Sequence, residues 1–525
     1  MRGKTRRLLS ALSVIPMAAA PLAQNAFAVQ PTGAPTGPQL GAWSFHHENV
    51  LGTSLQMHVS ARDEASAARA EAAALGVFDR QRSILSAWDE HSEFSRWERT
   101  RFEAVPVSND LFAVLAAFDT WRDRTGGALD PSVEAATRLW KSTTAEGRVP
   151  TAQEIAATRE AVAQPHWILD AQHKTATRVS DTPLALASFA KSWITAKAAD
   201  AALAAGATGI MLNVGGDVVA RGAMTQVVSI TDPRSSADND RALTHVVVAD
   251  RTVATSGDYR RGFSAINTSA TSKPTYSHLI DPRTAQPTSH VLSSTVIAKD
   301  AETAGALATA FSVLTEQQSA ALARNTPGVD YMLVLADGSQ ITSPGWSLYE
   351  FGPSTARYQP AGFAAPQKGP SGMMDPSYEL TIDLNLQRID NPRYRRPYVA
   401  VWIEDADHYP VRTLALWFEK NRWLPELKQW YKDDQVRTMS EGTDISRTVS
   451  SATRAPGHYT LKWDGKDNTG KPLKAGKYTV VIEAAREHGG YDVQRREISF
   501  IGKPEQATIA PGQELGEVTL DYRKR

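Results

Sequence analysis

Apolar and polar positions follow two periods along this chain, and the change from one to the other divides it. Leu55, Gln56, Met57, His58 and Val59 alternate, the period of a half-buried strand, and residues 41–62 read as a strand pair. Residues 61–85 continue as a long Ala- and charge-rich helix. The run DLFAVLAAFDTWRDR, 110–124, is amphipathic at helical spacing, with Asp110 placed to cap it. The stretch from 184 to 222, LALASFAKSWITAKAADAALAAGATGIMLNVGGDVVARG, organises this half. An Ala-rich helix of about four turns ends at Gly206, an apolar strand covers 210–214, and the chain breaks at Gly215-Gly216-Asp217. Two glycines let backbone approach a ligand and the acid adds a fixed charge, although such a triplet also serves as an ordinary turn.

Strands are expected at 227–230, 244–248, 253–255, 292–297 and 331–335, with a helix over 301–314 and a turn at Asp130-Pro131 that starts another helix. Strands and helices mix without a regular βαβ repeat, so the class is α+β. Residues 353–376 form a Pro/Gly/Ser linker. Beyond it strict alternation takes over at 378–384, 398–403, 459–463, 478–482 and 497–500, the spacing of an all-β sandwich. The expected domains are 41–352 and 377–525.

Composition narrows the setting. The 525 residues carry 57 Lys+Arg and 57 Asp+Glu, and this balance gives no support for nucleic acid as a partner. The start is basic (Arg2, Lys4, Arg6, Arg7), then apolar, then Ala26-Phe27-Ala28, the pattern of a signal peptide over 1–28 cleaved after Ala28, with a linker at 29–40. The chain lacks cysteine, which excludes disulfides, a thiolate metal site and a Cys nucleophile. An exported, soluble, periplasmic protein is expected.

Eight short blocks then occur in one order: Leu51-Gly52-Thr53; 86–97 with Trp88; 127–140 with Ala128-Leu129-Asp130; 185–191; 212–222; 255–259; 278–284; and 295–314. In this order they resemble the ApbE family of FAD:protein FMN transferases. The resemblance implies that FAD is the substrate, that its FMN half passes to a threonine of an exported target protein, that AMP leaves, and that Mg²⁺ assists. It places Leu51, Trp88, Ala128, Leu129, Asp130, Lys191, Gly215, Gly216, Ser256, Gly257, Asp258 and Leu279 at the cofactor. It gives His278 and Asp217 catalytic roles and puts Ser188, position 305 and Thr309 at the metal. The resemblance also allows a membrane redox complex as a further partner. Residues 458–490 resemble an uncharacterised periplasmic family found fused to ApbE-like proteins, and also the Ig-like domain of flagellar hook-cap proteins.

Two departures bear on activity. The family acid before the central helix is Ala185 here, and the metal-binding carboxylate is Gly305. A hard cation wants oxygen ligands with at least one carboxylate, so metal binding is expected to be weakened. An FAD-binding protein without transfer, or a periplasmic interaction module, therefore stands as the alternative.

Overall fold

The computed structural model describes residues 41–525 apart from 236, 238, 241, 258–261, 265–274, 352–371, 391–393, 420, 444 and 488. The expected signal peptide, the expected 29–40 linker, most of the expected 353–376 linker and the expected ligand residue Asp258 lie outside the described residues.

Alternation in Thr53–Ala61 buries Leu55, Met57, Val59 and Ala61 on one face, and the strand pairs antiparallel with Gly41–Val50. These two open an eight-stranded sheet. It continues through Gly209–Val214, Asp217–Gly222, Thr252–Gly257, Val291–Ala298, Asp330–Leu335 and Gln340–Thr342, with every neighbouring pair antiparallel. The α+β expectation holds in this arrangement, since no βαβ crossover builds the sheet.

Both faces of this sheet are covered. Ile210, Leu212, Val219, Ala254, Val296 and Leu333 meet the helices, while their alternates Met211, Val218, Val253, Ile297 and Met332 meet a two-stranded ribbon, Thr225–Ile230 with Thr244–Ala249. That double burial explains why 210–214 is an apolar run rather than an alternating one. The central helix, Ala187–Ala204, packs between Glu64–Leu85 and Ala301–Phe311. Its buried Ala190, Ala198, Ala199 and Ala202 carry little side-chain bulk, so the neighbouring helices approach closely.

One capping expectation is corrected. The helix Asn109–Arg124 is capped by Ser108, whose hydroxyl accepts from Leu111 N at 3.2 Å. Asp110 lies inside the first turn, where its carboxylate accepts from Gln81 at 2.5 Å and pairs with Lys197 at 2.7 Å. Ser108 has the extended ψ that a cap needs, and an acid in the first turn still complements the helix dipole.

The second domain is a sandwich of a four-stranded and a five-stranded sheet. Leu380, Ile382 and Leu384 of one sheet pack with Val399, Val401, Val480 and Ile482 of the other. The strand Tyr398–Glu404 is buried along its whole length. Its second face needs a cover, which Leu424, Leu427 and Trp430 supply from a turn and the helix Lys428–Glu441. Buried Glu483 accepts Gln429 N at 3.0 Å and Trp430 N at 2.8 Å, fixing the start of that helix to the sheet. The helix sits where the alternating pattern pauses, and was not expected from the strands alone.

Two seams join the domains. His46 N donates to Glu419 O at 2.8 Å, and Glu48 pairs with Arg396. At the other seam the Asn239 side chain donates to Lys462 O at 2.8 Å and accepts from Lys462 N at 2.7 Å, imitating a rung of β-ladder. His46 is fully buried, edge-on to Phe418, and neither ring nitrogen has a hydrogen-bond partner. Burial, with smaller contributions from the charges of His58 and His47, lowers its pKa from 6.5 to about 3.

The unfolded chain therefore binds a proton at His46 that the folded chain refuses between these two values. The stability contribution is complete above pH 6.5 and falls as pH drops towards 3, with a slope of at most about 1.4 kcal/mol per pH unit. His46→Leu is expected to flatten that part of the profile, as measured by thermal unfolding midpoints from pH 7 to pH 4.5. An unchanged slope would mean that another group sets it.

Candidate active site

The Gly215-Gly216 break is a two-residue hairpin turn. Val214 pairs with Asp217, and the glycines have φ of 55° and 99°, left-handed values that L side chains resist. Space is short as well. A Cβ at Gly215 would lie 2.7 Å from Thr53 Oγ1, because this turn leans on the neighbouring hairpin, whereas one at Gly216 would meet nothing within 4 Å. The turn carries Asp217 inward. Its carboxylate is buried, accepts the Ser192 hydroxyl at 2.6 Å and lies 3.4 Å from Lys191 Nζ. Lys191 and Ser192 are consecutive on the central helix, so one helical position reaches the cavity while the next reaches the carboxylate from within the core.

Asp217 and Lys191 line a cavity of about 280 Å³. The turn Ala128-Leu129-Asp130 forms one wall, with Ala185 and Ser188 from the start of the central helix. Ser256, His278 and Leu279 form another, and Gly305 and Thr309 close it from the Ala301–Phe311 helix. Ala185 N donates to Pro131 O at 2.9 Å, which joins the first two pieces. Thr309 donates to Ser188 O at 2.9 Å and lies 3.4 Å from Ser256 Oγ. Six separate stretches of sequence thus meet around one space. A second cavity of about 490 Å³ shares Asp130 and Pro282 with it and is lined by Arg122, Arg159 and Arg283.

The acids of the first cavity already have cations. Asp130 is held by Arg122 at 2.8 Å and by the Ser132 hydroxyl at 2.5 Å; Glu134 is held by Arg138 at 2.8 Å; Asp217 faces Lys191. The wall presents diffuse, compensated charge with one ammonium at the surface of the space.

The ApbE family profile matches residues 51–333, more than half of the chain. The chain belongs to the ApbE family. The FAD:protein FMN transferase of Vibrio cholerae is 30% identical over 263 residues, covering 48% of this chain and 75% of the relative. That of Treponema pallidum is 28% identical over 319 residues, covering 57% and 86%. The crystal structure of the ApbE protein of Thermotoga maritima superposes with a TM-score of 0.53 at 28% identity, over 59% of this chain and all of the other. Residues 379–517 match a second family, described as a predicted periplasmic protein, DUF2271.

Among the residues expected at the ApbE site, the cavity brings together Ala128, Leu129, Asp130, Ser188, Lys191, Asp217, Ser256, His278, Leu279, Gly305 and Thr309. Gly215, Gly216 and Gly257 shape the backbone beside it and do not line it. Leu51 stands in the first hairpin turn at φ 50°, half-buried against the main core and outside the lining. Trp88 is not brought to the cavity. It projects 90% exposed from a loop whose Ser86 hydroxyl accepts Trp88 N and Asp89 N, both at 3.1 Å. A lone aromatic after a helix gives no hint of which side it will face. Ser192 was not among the expected site residues, although the sequence does carry a signal there: the family pattern that the central helix resembles has Gly where this chain has Ser192.

The described donor set does not fit a divalent cation. Among the described residues no group of three or more His, Asp or Glu converges. Asp300 and Glu302, the nearest acids to Gly305 in sequence, are engaged elsewhere. Asp300 caps its helix through Thr303 N at 2.7 Å, and Glu302 accepts Trp121 Nε1 at 2.9 Å.

The hairpin gives a direct test of the site's scaffold. Gly215→Ala is expected to cost more stability in urea unfolding than Gly216→Ala, by about 1 kcal/mol or more, because both positions have positive φ but only Gly215 also meets Thr53. Equal losses would show that the turn shifts away from Thr53 without cost.

Proposed function

We propose that this protein is an FAD:protein FMN transferase that modifies a threonine of an exported target protein. The observation that carries the reading is the convergence of six ordered family blocks on one cavity, with an ammonium and an imidazole on its wall. The relatives named for this activity supply the reaction class.

In the reaction the threonine hydroxyl oxygen bonds to the phosphorus on the riboflavin side of FAD. The bond from that phosphorus to the bridging oxygen breaks, AMP leaves with that oxygen, and the hydroxyl proton passes to a base. Such transfers ask the protein mainly for positioning and charge stabilisation. His278, half-buried on the wall, is the candidate base, since an imidazole nitrogen can accept the hydroxyl proton. Lys191, steadied by Asp217, faces the phosphates. Ser256 adds a hydroxyl donor, and Thr309, whose proton goes to Ser188 O, holds that wall in place. The two neighbouring turns, one with Leu51 and one with Gly215-Gly216, border the flavin end, and Asp258 is a further candidate contact. Magnesium, if it enters at all, does so weakly.

The second domain's match to a periplasmic family supports an exported setting, with the signal peptide cleaved after Ala28. No helix of the described residues is long and apolar enough to cross a membrane. The second domain would then recruit the target or a membrane redox complex. Gly305 favours one other reading, in which FAD is held without transfer.

Incubating the mature chain with FAD and an exported protein bearing an acceptor threonine is expected to give covalent flavin on that protein, visible as in-gel fluorescence. Bound FAD without labelling would sink transfer and leave the second reading. His278→Ala is expected to lower kcat about 10²-fold with little change in FAD binding. A variant as fast as wild type would remove His278 from the proton transfer.

A further inference from the structure

We infer that this site takes the diphosphate of its nucleotide without a divalent cation, and that Lys191, held by the Asp217–Ser192 pair, supplies the positive charge in its place. The inference rests on the flavin-dinucleotide reading above and concerns how that ligand's charge is met.

Three observations converge on it. First, position 305 is closed. A Cβ there would lie 2.7 Å from Ser192 Oγ, 3.1 Å from Ser192 Cβ and 3.2 Å from the Phe189 backbone. Ser192 and Phe189 are fully buried, so neither yields readily. A carboxylate cannot simply be restored at 305 while Ser192 stands opposite. Second, Ser192 is not idle filler. Its hydroxyl donates to Asp217 at 2.6 Å, satisfying a buried carboxylate from the core side. That leaves the Lys191 ammonium, 3.4 Å from the same oxygen, as the charge presented to the cavity. Third, the described carboxylates of the wall, Asp130, Glu134 and Asp217, each carry a basic partner already. A divalent ion would have to displace Arg122, Arg138 or Lys191 to gain the carboxylate that hard cations usually need. Asp300 and Glu302 are committed to a helix cap and to Trp121.

Ser192, Gly305 and Lys191 therefore act as one unit. The small residue at 305 makes room for the hydroxyl at 192, the hydroxyl orients Asp217, and Asp217 aims the ammonium. A compact ammonium is a natural partner for phosphate oxygens. Lys191 is a positioning and charge-bearing residue for the ligand, and Ser192 acts through Asp217.

The test is FAD binding to the mature full chain, followed by flavin fluorescence in Mg²⁺ and in EDTA. Wild-type affinity is expected to differ by less than about twofold between the two buffers. Lys191→Met is expected to weaken FAD about tenfold or more in both. Ser192→Gly combined with Gly305→Asp, which relieves the contact and adds a carboxylate, is expected to make affinity respond to Mg²⁺. Ser192→Gly alone is expected to leave it unresponsive and serves as the folding control, checked by thermal midpoint. Wild-type binding that appears or strengthens about tenfold only with Mg²⁺ would overturn the inference while leaving the flavin reading intact. Lys191→Met binding as well as wild type would overturn it too. Absence of FAD binding in both buffers would overturn the flavin reading itself, and this inference with it.

Discussion

The carboxylate of Asp217 ties the hairpin of the main sheet to the central helix, and much of the site depends on that tie. A buried acid is tolerated only when its oxygens are met. Here the Ser192 hydroxyl meets it from the core and Lys191 from the cavity side. The hairpin can present the acid at this depth because two glycines turn the chain in two residues and because the turn rests on Thr53. The helix can approach because half of its buried positions are alanine. Sheet, turn and helix are each shaped to let one carboxylate sit at their junction.

The same economy of volume explains the Ala301–Phe311 helix. Its glycine stands opposite Ser192 and Phe189 of the central helix, and with Ser192 in place a Cβ there would come within 2.7 Å of its hydroxyl. Thr309, four residues on, faces the cavity from the same side of the helix and reaches Ser188 O. The departure from the family pattern at 305 is thus a packing solution shared with position 192, and reading it as a lone lost ligand misses half of the change. The two domains are likewise joined by polar matches, Asn239 with the Lys462 backbone and His46 N with Glu419 O.

Sequence by itself determined the elements and the family. Alternation at 55–59, helical spacing at 110–124 and the Gly-Gly break at 215–216 are local signals, and local backbone preferences carry them directly into strands, helix and turn. Block order carried the ApbE resemblance. What only tertiary structure decided were the pairings between distant residues. Trp88 faces solvent and Glu302 turns to Trp121, while Ser192 rather than position 305 fills the space between two helices. The helix Lys428–Glu441 covers a strand whose both faces are apolar. These outcomes depend on which surfaces meet and how much volume remains between them. That is a property of packed elements distant in sequence, and no short window of sequence contains it.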